Sequence, residues 1–273
     1  MPAKARIQIL SDLHLEQPKP HYDLFTVTPA APYLALLGDI GDLKPPQGSQ
    51  AGLLDFLTTQ LRQFRAVFYV PGNHEAYHSS WPATLSALRD FEAQTRADPS
   101  IGDFILLDQG FYRIPDTEVV ILGCRLFSHI PADKEQRVWR GLTDFWVTDK
   151  WTPVEHNAAH KRDVAWLNAQ VAELEQEDDV RIVIFSHWGP TTDDRAVEPV
   201  HRGSDVSCAF ITDLSGEKCF RSEKVKIWGC GHTHYNFDFV KEREGEGLRI
   251  VTNQRGYYSK QALGWDEEKV IEV

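Results

Sequence analysis

Five short apolar runs in this chain each end on residue types that ligate metal ions. Ser11, Asp12, Leu13 and His14 close the first, Gly38 to Asp42 the second, and Gly72, Asn73, His74 and Glu75 the third; Ser186 and His187 close the fourth and Gly231 to His234 the fifth. Nothing else constrains the fold as strongly. Runs this short read as buried strands, and the ends of successive buried strands are where side chains from distant parts of a chain converge. Asp12 and His14 are two residues apart, as are His232 and His234, and alternate side chains of an extended segment point to the same side. The donors are carboxylate, amide and imidazole without thiolate, a set that suits Mn, Fe, Zn or Ni rather than an iron–sulfur cluster or a structural zinc.

Strands are expected at 7–10, 33–37, 66–70, 119–122, 181–185, 225–228, 237–240 and 249–251, with helical stretches between them, so layered α and β structure is predicted. Leu53, Leu54, Leu57, Leu61 and Phe64 lie at helical spacing, and so do Leu85, Leu88 and Phe91. The best-signalled helix starts after Thr152, where a capping hydroxyl, Pro153 and Glu155 form a capping box; Val164, Leu167, Val171 and Leu174 make its apolar stripe. Segments 44–48 and 190–223 read as loops.

With 273 residues, 42% hydrophobic, 8 Trp and 14 Phe, the chain can fill a core without disulfides, and a single domain over 1–273 is expected. Cys124, Cys208, Cys219 and Cys230 are scattered, so reduced thiols are predicted, only Cys208 and Cys219 being spaced for a local bridge. The first residues run straight into the strand at Ile7, with no room for a secretory leader, and no apolar run is long enough to span a bilayer. A cytoplasmic protein with no membrane partner is the expectation. The net charge of -11 argues against a broad polyanion-binding surface. Nucleic acid is then expected only as a substrate, while a small phosphate ester suits a site whose bound cations reverse the local charge.

Taken in order, the five blocks from Asp12 to His234 resemble the calcineurin-like metallophosphoesterase superfamily. The resemblance implies an α/β fold of four layers, a two-sheet β sandwich flanked by helices, with the site on loops at the strand ends. It implies a dinuclear centre of two divalent or transition metal ions, with Asp12, His14 and His234 on one, Asn73, His187 and His232 on the other, and Asp39 bridging. Two such ions activate a bridging hydroxide and clamp the phosphoryl oxygens for in-line attack. The resemblance further makes His74 the general acid and Asp42 the carboxylate that orients it. The residues alone leave open a hydrogen-bonding role for His74 and a helix-capping role for Asp42. Glu75 reads as an acceptor for loop amides. His201 and Arg202 are the further pair suited to a phosphate, and Trp139, Trp146 and Trp151 read as core or loop packing ahead of pocket lining.

Protein serine/threonine phosphatases of this superfamily continue the second block as Gly-Asp-x-x-Asp-Arg-Gly, whereas Leu43 and Lys44 follow Asp42 here. Without that arginine the expectation moves to smaller esters, phosphodiesters or phosphomonoesters, and the first and fifth blocks look like the phosphodiesterase branch. Two alternatives share the residues: a metal-bound scaffold for partner proteins, and a pyrophosphate hydrolase acting on nucleotide-sugar or lipid substrates. Selectivity is expected to reside in 127–151 and 188–219, which carry no motif.

Overall fold

In the computed structural model, which describes residues 4–43 and 49–273 and the side chains of all of these but 49–51, alternation along the strands decides the layering. Strands β1 (Arg6–Leu10), β2 (Tyr33–Leu36), β3 (Ala66–Tyr69) and β4 (Asp103–Leu106) run parallel in one sheet. The second sheet holds β5 (Gly110–Arg113), β6 (Val119–Gly123), β7 (Arg181–Phe185), β8 (Val225–Cys230), β9 (Asp238–Lys241) and β10 (Leu248–Thr252), in the order β5-β6-β7-β8-β10-β9. A short hairpin, β11 (Gly256–Tyr257) and β12 (Lys260–Gln261), follows, and β13 (Val270–Glu272) returns antiparallel to β1. The helices are α1 (Ser49–Leu61), α2 (Trp81–Arg96), α3 (Glu135–Gly141), α4 (Asp144–Val147), α5 (Pro153–Leu174) and α6 (Lys218–Arg221).

Odd positions of β2 and β3, Tyr33, Ala35 and then Ala66, Phe68 in the shared register, pack with Val119, Ile121, Val183 and Phe185 of the other sheet. Their neighbours Leu34, Leu36, Val67 and Tyr69 face Leu53, Phe56, Leu57, Leu88 and Phe91 of α1 and α2. On the far side Val120, Leu122, Ile182 and Ile184 pack on Val164, Leu167 and Val171 of α5. Both faces of each central strand are therefore apolar, as helices on one face and a sheet on the other require. Each buried Leu, Ile or Phe contributes on the order of 2 kcal/mol. The four-layer, two-sheet arrangement expected from the resemblance is the one observed.

All eight expected strands are present, and α2 spans Trp81–Arg96 as the spacing predicts. Helix α1 stops at Leu61, short of the expected Phe64, because the Gln63 and Phe64 amides both donate to the Gln60 carbonyl and tighten its end. Thr152 Oγ1 accepts from the Glu155 amide at 3.4 Å, the predicted cap of α5. Strands β4, β5, β11, β12 and β13 escape prediction: they are short, and β5 alternates exposed and half-buried residues, too weak a pattern to read. The 190–223 segment is not plain loop, since it folds as turns of 3-10 helix at Asp194–Ala196, Pro199–His201 and Ser207–Ala209 and as α6. The four cysteines are free thiols. Among the described residues no helix is long and apolar enough to cross a membrane. The expected loop at 44–48 lies outside the described residues.

Candidate metal centre

The five clusters follow the C-terminal ends of β1, β2, β3, β7 and β8, so parallel strands of both sheets deliver them to one edge of the sandwich. The loops there are zipped by their backbones: Asp12 donates to the Gly38 carbonyl and His14 to that of Asp39, each at 2.9 Å, and Gly231 donates to the His187 carbonyl at 2.9 Å. This lacing holds an unusual backbone. Asp12 (φ 53°), His14 (φ 48°), Asp39 (φ 54°), His232 (φ 73°) and His234 (φ 51°) are all left-handed, a conformation costing on the order of 1 kcal/mol per non-glycine residue. Each of these turns swings a donor side chain inward. At Gly38 (φ 92°) a Cβ would lie 2.3 Å from His187 Nδ1, so only glycine lets the second and fourth clusters meet.

Glu75 is the strut beneath them. Its carboxylate accepts from the amides of Gly72 (2.7 Å), Ile40 (2.9 Å), Asp39 (3.1 Å) and Gly41 (3.4 Å) and from the Tyr69 hydroxyl (2.8 Å). Burial, and after it the nearby Asp39 carboxylate, pushes its pKa up to about 7.

Three sets of side chains converge closely enough to share an ion: Asp12, His14 and His234; Asp39, His187 and His232; and His14, Asp39 and His74. In the first, His234 Nε2 lies 2.9 Å from His14 Nε2 and 3.2 Å from Asp12 Oδ1. In the second, His187 Nδ1 donates to the Leu37 carbonyl at 2.7 Å, and Asn73 Nδ2 donates to Tyr77 Oη (2.9 Å) and Asp144 Oδ1 (3.0 Å). His187 Nε2 and Asn73 Oδ1 then face each other at 3.2 Å, and the space between two acceptors must hold a positive charge, a proton on His187 or a metal ion. Burial pulls the His187 imidazole down, but Asp39 more than offsets it and lifts the pKa to about 9. His232 Nε2 is buried with no hydrogen-bond partner, and burial together with His187 holds its imidazole neutral, well below the usual histidine range. A neutral, unpartnered imidazole nitrogen beside a buried carboxylate fits a metal ligand.

Asp39 stands between the sets, with Oδ1 3.5 Å from His187 Nε2 and Oδ2 3.8 Å from His14 Nε2. Burial raises its pKa, yet His74, His187 and His14 together keep it well below the usual carboxylate range. His74 Nδ1 is held at 2.9 Å by Glu16 Oε1, and the ring stacks on Tyr77. The carboxylate bonded to His74 is thus Glu16, where the sequence reading expects Asp42. Buried Asp42 donates its backbone amide to the Tyr22 hydroxyl, 3.1 Å away. Burial raises the Glu16 pKa, but hydrogen bonds from His14 and His74 outweigh it and hold it at about 2; His74, drawn down by burial, is carried up to about 9 by Asp39 and Glu16.

Four residues of the site escape the sequence reading. Glu16 follows the first cluster by two residues in the loop after β1, where its carboxylate reaches both His14 and His74. Asp144, which fixes the Asn73 amide and accepts from Tyr77 Oη at 2.5 Å, comes from α4 and had no signal. Gln254 Oε1 accepts from the His234 amide at 2.6 Å, and Tyr257 sets its ring 4.4 Å from that of His14. Asp39, Asn73, His74, Asp144, His232, His234 and Tyr257 line a cleft of about 300 Å³. His201 and Arg202 do not line it: His201 pairs with Glu198 at 3.4 Å and Arg202 donates to the Asp194 carbonyl at 2.7 Å. Nor do the tryptophans, of which Trp139 and Trp146 stack on each other in solvent while Trp151 packs on the core.

Residues 5–236 match the calcineurin-like phosphoesterase family. The chain belongs to that family and is a metal-dependent phosphoric ester hydrolase. It is 26% identical over 236 residues, 82% of this chain and 78% of the relative, to an uncharacterized protein of Acanthamoeba polyphaga mimivirus. Its fold is similar to the crystal structure of a phosphopantetheinyl hydrolase from Mycobacterium tuberculosis, with a TM-score of 0.69, 17% identity, and coverage of 100% of this chain and 97% of that one.

Proposed function

We propose that this protein hydrolyses small phosphodiesters or phosphomonoesters at a dinuclear centre. The observation that carries the proposal is Asp39, whose two oxygens face two separate donor sets. Asp12, His14 and His234 would hold one ion and Asn73, His187 and His232 the other, with Asp39 shared between them. Mn, Fe, Zn and Ni all suit these donors. When bound, such ions activate water and neutralise phosphoryl oxygens.

The protein's own groups would do the rest. Asp144 and Tyr77 keep the Asn73 amide oxygen turned toward His187. Glu16 holds His74 by Nδ1, which leaves Nε2, 3.9 Å from Asp39 Oδ2, free to deliver a proton to the departing alkoxide. Uncharged Tyr77, Thr143 and Tyr257 line the cleft beside the donors and would border the phosphate.

Purified protein titrated with Mn is expected to take up two equivalents and to hydrolyse bis-p-nitrophenyl phosphate or p-nitrophenyl phosphate. One equivalent at saturation would reject the paired centre, and no turnover of either ester by the loaded protein would reject the reading of function. Asp39→Asn is expected to lower turnover by about 1000-fold or more, at the upper end of what removal of one charged group at a reacting centre costs. Full activity in that variant would remove Asp39 from its role. His74→Ala should slow an alkyl ester about 100-fold more than a nitrophenyl ester, because only the poor leaving group needs the proton; equal slowing of both would refute the acid assignment.

A further inference from the structure

Beside the cleft lies a second cavity, of about 170 Å³, lined by Ala196, Val197, Ile211 and the edge of the 3-10 turn at Ser207–Ala209. The two adjoin. Val206, Phe210 and Thr233 line both. Thr233 sits between the donor residues His232 and His234, and the Phe210 ring stacks on that of His232 with centroids 4.9 Å apart and planes at 27°. A group seated in this cavity is therefore one side chain away from the donors. Its exposed wall surface is mainly apolar, from Ala196, Val197, Val206, Phe210 and Ile211, and among the described residues no lysine or arginine lines it. The guanidinium groups that neighbour its lining residues along the chain are engaged elsewhere, Arg195 with Asp193 and Arg202 with the Asp194 carbonyl. At the mouth stands Glu198 with His201. A second phosphate here would meet a carboxylate and no compensating cation, which is a costly place to put a charge.

We infer that this cavity is the subsite for the organic end of the substrate, and that this end is uncharged and apolar, an aromatic or branched alkyl group. The inference rests on the ester-hydrolase reading above and narrows it: the phosphate lies in the cleft against Asp39 and the donor histidines, and the alcohol portion crosses Thr233 to pack on Val197, Phe210 and Ile211. Esters carrying further phosphates are disfavoured. Phe210 has a double position, as wall of the subsite and as packing for His232, so apolar contact there also steadies a donor ring.

The test compares benzyl with ethyl phosphate, whose leaving groups are of similar basicity, and benzylphosphonate with ethylphosphonate as inert ligands, all with the full chain loaded with Mn. Benzylphosphonate is expected to bind at least about tenfold more tightly, and benzyl phosphate to show a kcat/KM higher by a similar factor, the discrimination that apolar pockets give. Val197→Glu, at a half-buried position away from the donors, should erase the preference, read as the ratio of benzyl to ethyl kcat/KM and of the two phosphonate affinities; Ser204→Trp, which fills the cavity from its rim, should erase the same ratio without adding charge. Ethyl phosphate turned over with no benzyl preference, or a preference that survives both variants, would overturn the subsite and leave the hydrolase reading standing. Neither phosphonate bound and neither ester hydrolysed by loaded protein would overturn both.

Discussion

The strand-end cradle and the wall made by residues 127–151 and 194–211 both hold side chains still beside the same cleft, and they do it by different physics. In the cradle the backbone is bent into left-handed turns at five donor residues and kept there by hydrogen bonds, four amides converging on the one carboxylate of Glu75. In the wall, Ile130, Val138, Leu142, Phe145 and Ala209 form a small core of their own, with Trp151, Val206 and Phe210 packed against it. Hydrogen bonds are specific to residue type, while apolar packing accepts many residues of similar volume. The cradle must therefore be spelled with particular residues, and the wall can be built from many sequences. They meet where Asp144 holds Asn73 and where Phe210 stacks on His232.

That contrast can be broken first at Glu75. Glu75→Ala strands four buried amides and the Tyr69 hydroxyl, and a loss of about 3–5 kcal/mol in urea unfolding is expected, together with metal binding. Stability within 1 kcal/mol of the parent, on the order of an ordinary surface change, would show that the loops hold themselves.

Asp144 tests whether the wall serves the cradle. Asp144→Ala frees the Asn73 amide to turn, and Mn affinity by calorimetry is expected to fall about 10–100-fold, as removal of a ligand-orienting partner does elsewhere. An unchanged isotherm would confine Asp144 to packing. Its buried carboxyl is raised above the usual carboxylate range chiefly by desolvation.

The wall alone is probed at His156, buried among Phe127, Phe145 and Trp188, with Nε2 accepting from the Ser128 amide at 3.1 Å. Burial, and after it His160, pulls its pKa from 6.5 to about 3. The unfolded chain thus takes up the proton first. The neutral form stabilises the fold above pH 6.5, and that stability is lost as the pH falls from 6.5 toward 3. Between pH 7.5 and pH 5 the loss from this group is about 2 kcal/mol. Urea unfolding at both pH values should show a smaller difference in His156→Gln, and equal differences would place the acid sensitivity elsewhere.

How much was legible follows from the same contrast. Apolar runs ending on acids and imidazoles identified β1, β2, β3, β7 and β8, because a strand buried on both faces must be apolar at every position. Helix α5 was readable from its cap and its apolar stripe. Edge strands β5 and β13 were not, since half of each side is wet and the pattern fades. Asp42 was expected beside His74, and the structure puts the Glu16 carboxylate there, 2.9 Å from His74 Nδ1, because the loop after β1 folds back across the third cluster.

By itself the sequence determined the chemistry available at the strand ends: which donors exist, in what order, and on which loops, because left-handed turns and a glycine at 38 admit few substitutes. Only the tertiary structure decided which carboxylate holds His74, which acid fixes Asn73 from 71 positions away, and that an apolar cavity adjoins the cleft. Those depend on long-range packing, where any residue of fitting shape and polarity serves and no spacing along the chain records the choice.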